Sequence, residues 1–334
     1  MSDTAATTSR FPIVTDQDEI RRRLTRRRGF TDTALSPRLR ESITRIFGEP
    51  LSARAVVERI ISDVRETGDD AVRHYTRIID GDVPDSLEVP RSAWLRAYES
   101  LDADVQQALW TAGKQIDRFH RLQKRTSWLD WSEDGALGQI VTPIERIGIY
   151  TPGGTAAYPS TLLMTAIPAR VAGVKHITIC APPANGAINP TILAAAYVAG
   201  VDQVFQVGGA QAIAAMAFGT DSIDHVDKIF GPGNIFVALA KQAVYGVVGI
   251  DQLAGPTETL LIADASADPA LLAADLLAQA EHDAMASAIL LTTDLDVAEQ
   301  TATELESQLP RLERQQIASE SLQSQGLIVV VSSP

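Results

Sequence analysis

A chain of 334 residues, 45% of them hydrophobic, holds enough apolar material for two domains with cores of their own. Its formal net charge of −13 repels nucleic acid and anionic membranes, so neither is an expected partner. One cysteine, Cys180, excludes an internal disulfide and fits a reducing compartment, and no apolar run approaches the ~20 residues that cross a bilayer.

Residues 1–9 are small and polar and are expected to fray. Arg21, Arg22, Arg23, Arg26, Arg27 and Arg28 follow closely together. Asp3, Asp16, Asp18 and Glu19 nearby argue against a transit peptide, which leaves a solvated helix face as the better reading. From about Ala53 to Gln123 the pattern is mainly helical: Val56, Val57, Ile60, Ile61 and Val64 recur at three and four residues, as do Trp94, Ala97, Leu101 and Val105. All four tryptophans (Trp94, Trp110, Trp128, Trp131) lie in this part or at its exit. Such a cluster reads as core or subunit contact rather than as a cofactor platform.

The texture then changes. Short β-rich runs at Ile147–Tyr150, His176–Cys180, Gln203–Val207 and Lys228–Phe230 alternate with alanine-rich helical runs, and two more follow at Glu258–Ile262 and Ala288–Thr292. Alternation of this kind predicts an α/β fold with mostly parallel sheets covered on both faces. Ligands in such sheets bind beyond the carboxyl ends of the strands, so the strand-to-helix turns are the places to look for chemistry.

Four turns are rich in glycine: the one within Arg146–Gly154, Gly208-Gly209-Ala210-Gln211, Gly231-Pro232-Gly233-Asn234, and Ala254-Gly255-Pro256-Thr257. Glycines let a ligand approach the backbone and helix N-termini favour an anion, though tight-turn geometry alone also explains each of them. Neither G-x-G-x-x-G nor G-x-x-x-x-G-K-[ST] occurs, so the usual nucleotide fingerprints are missing. His74, His120, His176 and His225 have no metal-ligand spacing to one another, and Cys180 reads as a small buried hydrophobe ahead of a catalytic thiol.

The last informative helix is predicted from Asp268, a good N-cap followed by Pro269, to about His282. At 3.6 residues per turn Gln279 falls on the Leu272/Leu276 face, His282 at its edge, and Glu281 on the solvent side. A shared cation or a bound polar ligand would satisfy both side chains; a pair of satisfied core polar residues is the commoner outcome of such spacing. Beyond it, Gly326–Val331 reads as a buried parallel strand, and a strand of that kind usually feeds a crossover helix. A fragment of a longer chain is therefore expected ahead of a genuine C-terminal strand with bare flanks.

Taken together, YTPGG, VGGAQAIAA, DKIFGPGN, AGPTE and QAEH, in that order between Glu145 and Asp283, resemble histidinol dehydrogenase; the likeness begins near Ser62 and runs to the last residue. The resemblance implies a homodimer of two incomplete Rossmann-like domains, an outer one of 1–146 plus 257–334 and an inserted NAD-binding one of 147–256, with the family's C-terminal domains absent; the acidic, cysteine-poor composition without a targeting signal gives the cytoplasm as the expected location. It implies oxidation of L-histidinol to L-histidinaldehyde and then to L-histidine with two NAD+ and a zinc ion. By motif, Tyr150, Gln211 and Asn234 would meet NAD; Thr257 (often serine in the family), Gln279 and His282 would meet the substrate, and Gln279 and His282 would also bind zinc. The family's proton-handling Glu-His pair sits in a G-P-E-H turn that this sequence lacks, as it lacks the remaining aspartate and histidine ligands, so no catalytic residue is assigned and little turnover is expected. Two other readings are a related zinc- and NAD-dependent dehydrogenase of another small amino or acidic alcohol, and a catalytically dead fragment.

Overall fold

The computed structural model describes residues 11–25, 35, 37–81, 83, 85–153, 158–184, 186–253 and 257–332. In chain order these form β1 (Ile13–Val14), α1 (Gln17–Leu24), α2 (Pro37–Phe47), α3 (Ala53–Thr67), α4 (Asp69–Asp80), α5 (Arg91–Glu99), α6 (Ala103–Arg121), β2 (Trp128–Ser132) and β3 (Gly135–Gln139). Then come β4 (Arg146–Tyr150), α7 (Pro159–Ala172), β5 (His176–Cys180), α8 (Pro190–Ala199), β6 (Gln203–Phe205), α9 (Gly209–Phe218), β7 (Lys228–Phe230), α10 (Ile235–Val244) and β8 (Gly249–Ile250). The last stretch holds β9 (Glu258–Ala263), α11 (Pro269–Ala280), β10 (Ser287–Thr292), α12 (Leu295–Gln308), α13 (Gln315–Ser324) and β11 (Leu327–Val330). Two compact units result, one from residues 34–254 and one from 1–33 with 255–334.

The larger unit is built on a parallel five-stranded sheet in the order β6-β5-β4-β7-β8. The chain moves outward from β4 to β6 and then returns to lay β7 on the other side of β4. Such a reversal opens a crevice at the carboxyl ends of the two strands flanking it. The strands carry continuous apolar runs because both faces are covered. Ile147 and Ile149 of β4 join one core with Trp94, Leu109, Leu162, Ala166 and Ile192, so α5, α6, α7 and α8 cover that face. On the other face Gly148 lies under the α9 side chain Met216, whose Sδ would be 2.5 Å from an added Cβ. Residues expected with the outer domain, α3 to α6, thus pack around this sheet.

The smaller unit has a parallel sheet in the order β1-β11-β10-β9. Ala273, Leu276, Leu277, Ala298, Leu305, Ala318 and Leu322 bury against Ala288, Leu290 and Ile328, which places α11, α12 and α13 on one face. Helix α1 covers part of the other with Ile20, beside Val14, Leu327 and Val329. Its Arg21, Arg22 and Arg23 are exposed and Arg23 pairs with Glu19, as a solvated face requires; Arg26, Arg27 and Arg28 lie outside the described residues. Leu260 and Ile262 of β9 are exposed.

Helix α11 ends sooner than the apolar periodicity predicts. Asp268 caps it through Ala270 N–H at 2.9 Å, but Ala280 is its last residue. Glu281 still donates to Leu277 O, whereas His282 donates to Gln279 O at 3.3 Å, a tighter closing turn. The 100° step fails past Ala280, so Glu281 is half-buried and His282 exposed, the reverse of the expected order.

Candidate functional site

The carboxyl edge of the five-stranded sheet gathers three of the glycine turns. Tyr150 ends β4, is buried, and its hydroxyl accepts a hydrogen bond from Gly209 N–H at the start of α9, 3.1 Å away. Burial pushes its phenol well above the ordinary tyrosine value, and the nearby Asp80 charge adds to the shift; the Gly209 N–H opposes it. Pro182 fills the space between two turns: a Cβ on Gly208 would stand 2.4 Å from Pro182 Cβ, and one on Gly153 2.4 Å from Pro182 Cγ. Part of the glycine content therefore answers to packing within the protein. Gly154, Ala254, Gly255 and Pro256 lie outside the described residues.

The turn after β7 is locked from behind. Gly231 N–H donates to Asp251 Oδ2 at 2.8 Å, and Gly231 O accepts from Lys241 Nζ at 2.9 Å. Lys241 and Asp251 also form an ion pair. Asn234 Oδ1 accepts from Phe236 N–H and Val237 N–H and so caps α10, the N-cap its sequence position suggests. Neither Lys241 nor Asp251 was legible as part of the site. The one available signal is a lone lysine inside IFVALAKQAV, a charge in an otherwise apolar helix.

Four buried polar atoms at this edge make no hydrogen bond with any described residue: Thr151 Oγ1, both ends of the Gln211 amide, and Asp80 Oδ2. Each such group costs about 1–3 kcal/mol when left unpaired, so their grouping marks a place that expects a polar ligand or ordered water. Gln211 is wholly buried at the first turn of α9, where backbone N–H groups already favour an anion. Thr151 and Asp80 were not anticipated.

Burial pushes the Asp80 carboxyl up to about 6. Since this is above its unfolded value, the unfolded chain loses the proton first. Stability from this group is full below about pH 4, declines as pH rises to about 6, and then stays level. Asp80→Asn is therefore expected to gain about 1–2 kcal/mol over the parent at pH 7 and almost nothing at pH 4. Urea midpoints of the two proteins at both pH values measure it, and an equal difference at the two would contradict it.

In the smaller unit Thr257, Gln279 and His282 come to one edge, but it is the amino edge. Helix α11 runs back across the sheet, so its end lies beside the starts of β9 and β10; Ser287 N–H donates to Thr257 O at 2.9 Å. The strand-to-helix rule holds for Tyr150, Gln211 and Asn234 and does not extend to these three. Gln279 Oε1 accepts from Thr259 Oγ1 at 2.8 Å, while its Nε2 is buried without a partner among the described residues. Thr257 and His282 are exposed. Among the described residues no group of three or more His, Cys, Asp or Glu is placed to hold a metal ion.

Cys180 is buried at the end of β5, and burial pushes its thiol up to about 12. A thiol so hard to ionise is inert, which agrees with a packing role. His74, His176 and His225 are exposed, and His120 stacks edge-on against Phe119.

Two parallel-sheet units, the larger with a glycine-lined crevice at a strand-order reversal, define an α/β chain of Rossmann-like type. The chain belongs to the histidinol dehydrogenase family, whose model matches residues 48–334. It is 50% identical over 278 residues to a histidinol dehydrogenase of Listeria innocua serovar 6a, covering 83% of this chain and 65% of that protein. A histidinol dehydrogenase of Geobacter sulfurreducens is 51% identical over 282 residues, with 83% and 66% covered. A crystal structure of histidinol dehydrogenase from Elizabethkingia anophelis superimposes with a TM-score of 0.84 at 37% identity, over 97% of this chain and 71% of that one. The chain thus spans just under two thirds of the length of the curated relatives it matches. No described helix is long and apolar enough to cross a membrane.

Proposed function

We propose that this chain is the NAD-binding and part of the substrate-binding portion of an L-histidinol dehydrogenase acting in the cytoplasm as a homodimer. The division into an inserted domain at 147–256 and an outer one at 1–146 with 257–334 belongs to the same reading; β4 begins at Arg146, but residues 34–146 cluster with the five-stranded sheet. The observation that carries the proposal is the buried, unpaired Gln211 amide beside the Tyr150–Gly209 contact, at the carboxyl edge where a dinucleotide fits. Gln211 would offer a donor and an acceptor to NAD, Tyr150 would hold the α9 start in place through Gly209, and Asn234 would present the first turn of α10. NAD supplies a hydride acceptor for two successive oxidations, from the alcohol through the aldehyde to the acid.

Zinc fits this chain only in part. The unpaired end of the Gln279 amide is Nε2, a hydrogen-bond donor and no zinc ligand, while the oxygen that would bind the metal accepts from Thr259, and His282 is exposed. Gln279 and His282 would be two ligands of a larger set, and Thr257 with Gln279 would orient the substrate amine and imidazole. The 334-residue chain alone is therefore expected to hold zinc weakly and to form no NADH from histidinol. NADH appearing at an enzymatic rate in a spectrophotometric assay would overturn this.

A change at Gln211 separates a binding role from a structural one. Gln211→Leu removes two orphaned atoms from the interior and is expected to raise stability by about 1 kcal/mol. The same change should weaken NAD at least tenfold, about 1.4 kcal/mol, by titration calorimetry. Unaltered NAD affinity would dispose of the assignment, and a loss of both stability and affinity would mark Gln211 as structural.

A further inference from the structure

Of the polar atoms left without a partner at the carboxyl edge of the five-stranded sheet, Asp80 Oδ2 is the one that carries charge. Its place follows from how α4 packs. Asp69, the first residue of α4, accepts from the N–H and Oγ of Ser222, in the loop beyond the end of α9, and α4 lies along α9. The 12 residues of α4 run about 18 Å and the 10 of α9 about 15 Å. Helix α4 therefore returns antiparallel to α9 and delivers its last residue, Asp80, to the α9 start. The Tyr150 phenol, bonded there to Gly209 N–H, feels the Asp80 charge, which fixes the same location independently.

The protein itself serves this carboxylate poorly. Oδ2 is buried without a partner among the described residues, and no ion pair among them includes Asp80. Asp80 stands at the C-terminal end of α4, where helix carbonyls disfavour a negative charge, and the leading N–H of α9 is already given to Tyr150. The groups around it are neutral and two-sided. The Gln211 amide, whose Oε1 would be 2.5 Å from a Cβ on Gly209, offers a donor and an acceptor, and the Tyr150 hydroxyl still has its proton to give. The carboxylate would repel a phosphate, and a cation would leave the amide unmet. A pair of neighbouring hydroxyls gives and takes a hydrogen bond at each oxygen and so matches the set.

We propose that Asp80 is a binding residue for the dinucleotide, its carboxylate accepting from the hydroxyls of one ribose while Gln211 meets the same sugar. The inference deepens the cofactor reading given above and rests on it. It also gives a reason for a carboxyl that lowers stability at this position, since its missing hydrogen bonds are supplied on binding.

Titration calorimetry of the whole chain at pH 8, where Asp80 is ionised, tests the proposal with NAD and two analogues. One lacks the 2′- and 3′-hydroxyls of the adenosine ribose, the other those of the nicotinamide ribose. Asp80→Asn is expected to weaken NAD at least tenfold while its urea midpoint rises. One analogue should bind the parent at least tenfold more weakly than NAD does, yet lose less than about threefold in Asp80→Asn, and which analogue does so names the ribose. Equal losses in parent and variant for both analogues, or an NAD affinity untouched by Asp80→Asn, would overturn the role of Asp80 and leave the cofactor reading intact. A fall in both urea midpoint and affinity would overturn it too, in favour of a structural role. A parent that binds no NAD would overturn both readings.

Discussion

Gly231→Ala is expected to destabilise the larger unit by more than about 3 kcal/mol and, on the proposed function, to abolish NAD binding. Gly231 has φ +108°, a conformation L residues rarely adopt, and its missing Cβ would stand 2.1 Å from Tyr150 O and 3.1 Å from Tyr150 C. Both obstacles are backbone atoms of the strand beside it, so no side chain can swing away. Moving the turn would also break its bonds to Lys241 and Asp251. Gly246 supplies the control, since it has φ +103° with nothing within 4 Å of an added Cβ. Gly246→Ala should therefore show the backbone strain alone, about 1–2 kcal/mol. Urea midpoints of the two variants measure the difference, and equal losses would refute the close approach.

Lys241→Met is expected to cost about 3 kcal/mol. Its side chain is 3% exposed, and that of Asp251, its partner, 24%. Removing the cation leaves the carboxylate largely desolvated with only the Gly231 and Gln252 N–H groups to serve it. The partial exposure of Asp251 keeps the loss at the lower end of the range for buried pairs. Lys241→Met with Asp251→Asn should recover part of it, because no charge is then stranded. A double-mutant cycle by urea unfolding gives the coupling, and additive losses would show that the pair is not one unit. The Gly231 carbonyl loses its donor in both variants, so on the proposed reading NAD affinity should fall in both, even where stability returns.

The strands were legible because burial on both faces leaves no polar alternation to confuse the reading. ITIC and RIGIY stand out as apolar runs, and β5 and β4 occupy them. The ribbon β2–β3 was missed: its residues carry neither a continuous run nor a clean alternation, and Asp134-Gly135 was its one turn signal. Strand β1 has only two residues and exists through its pairing with β11. At the site, motif order placed Tyr150, Gln211 and Asn234 at one sheet edge, which the structure gathers. Spacing alone did not reveal that α11 stops at Ala280, because helix periodicity carries no account of where the last turn tightens. Lys241 and Asp251 escaped notice since they bond to residues on other elements, and Asp80 since only the folded chain buries it, tertiary facts without a local pattern.

The pairing of Ile13 with Ile328 ties together segments more than three hundred residues apart. On a ribosome the second of these emerges roughly 15–60 s after the first at ordinary elongation rates. Residues 34–254 find their neighbours among themselves and can condense meanwhile. Phe11, Ile13 and Val14 stay apolar and uncovered for that interval, until β11 and the helices of the smaller unit arrive to bury them.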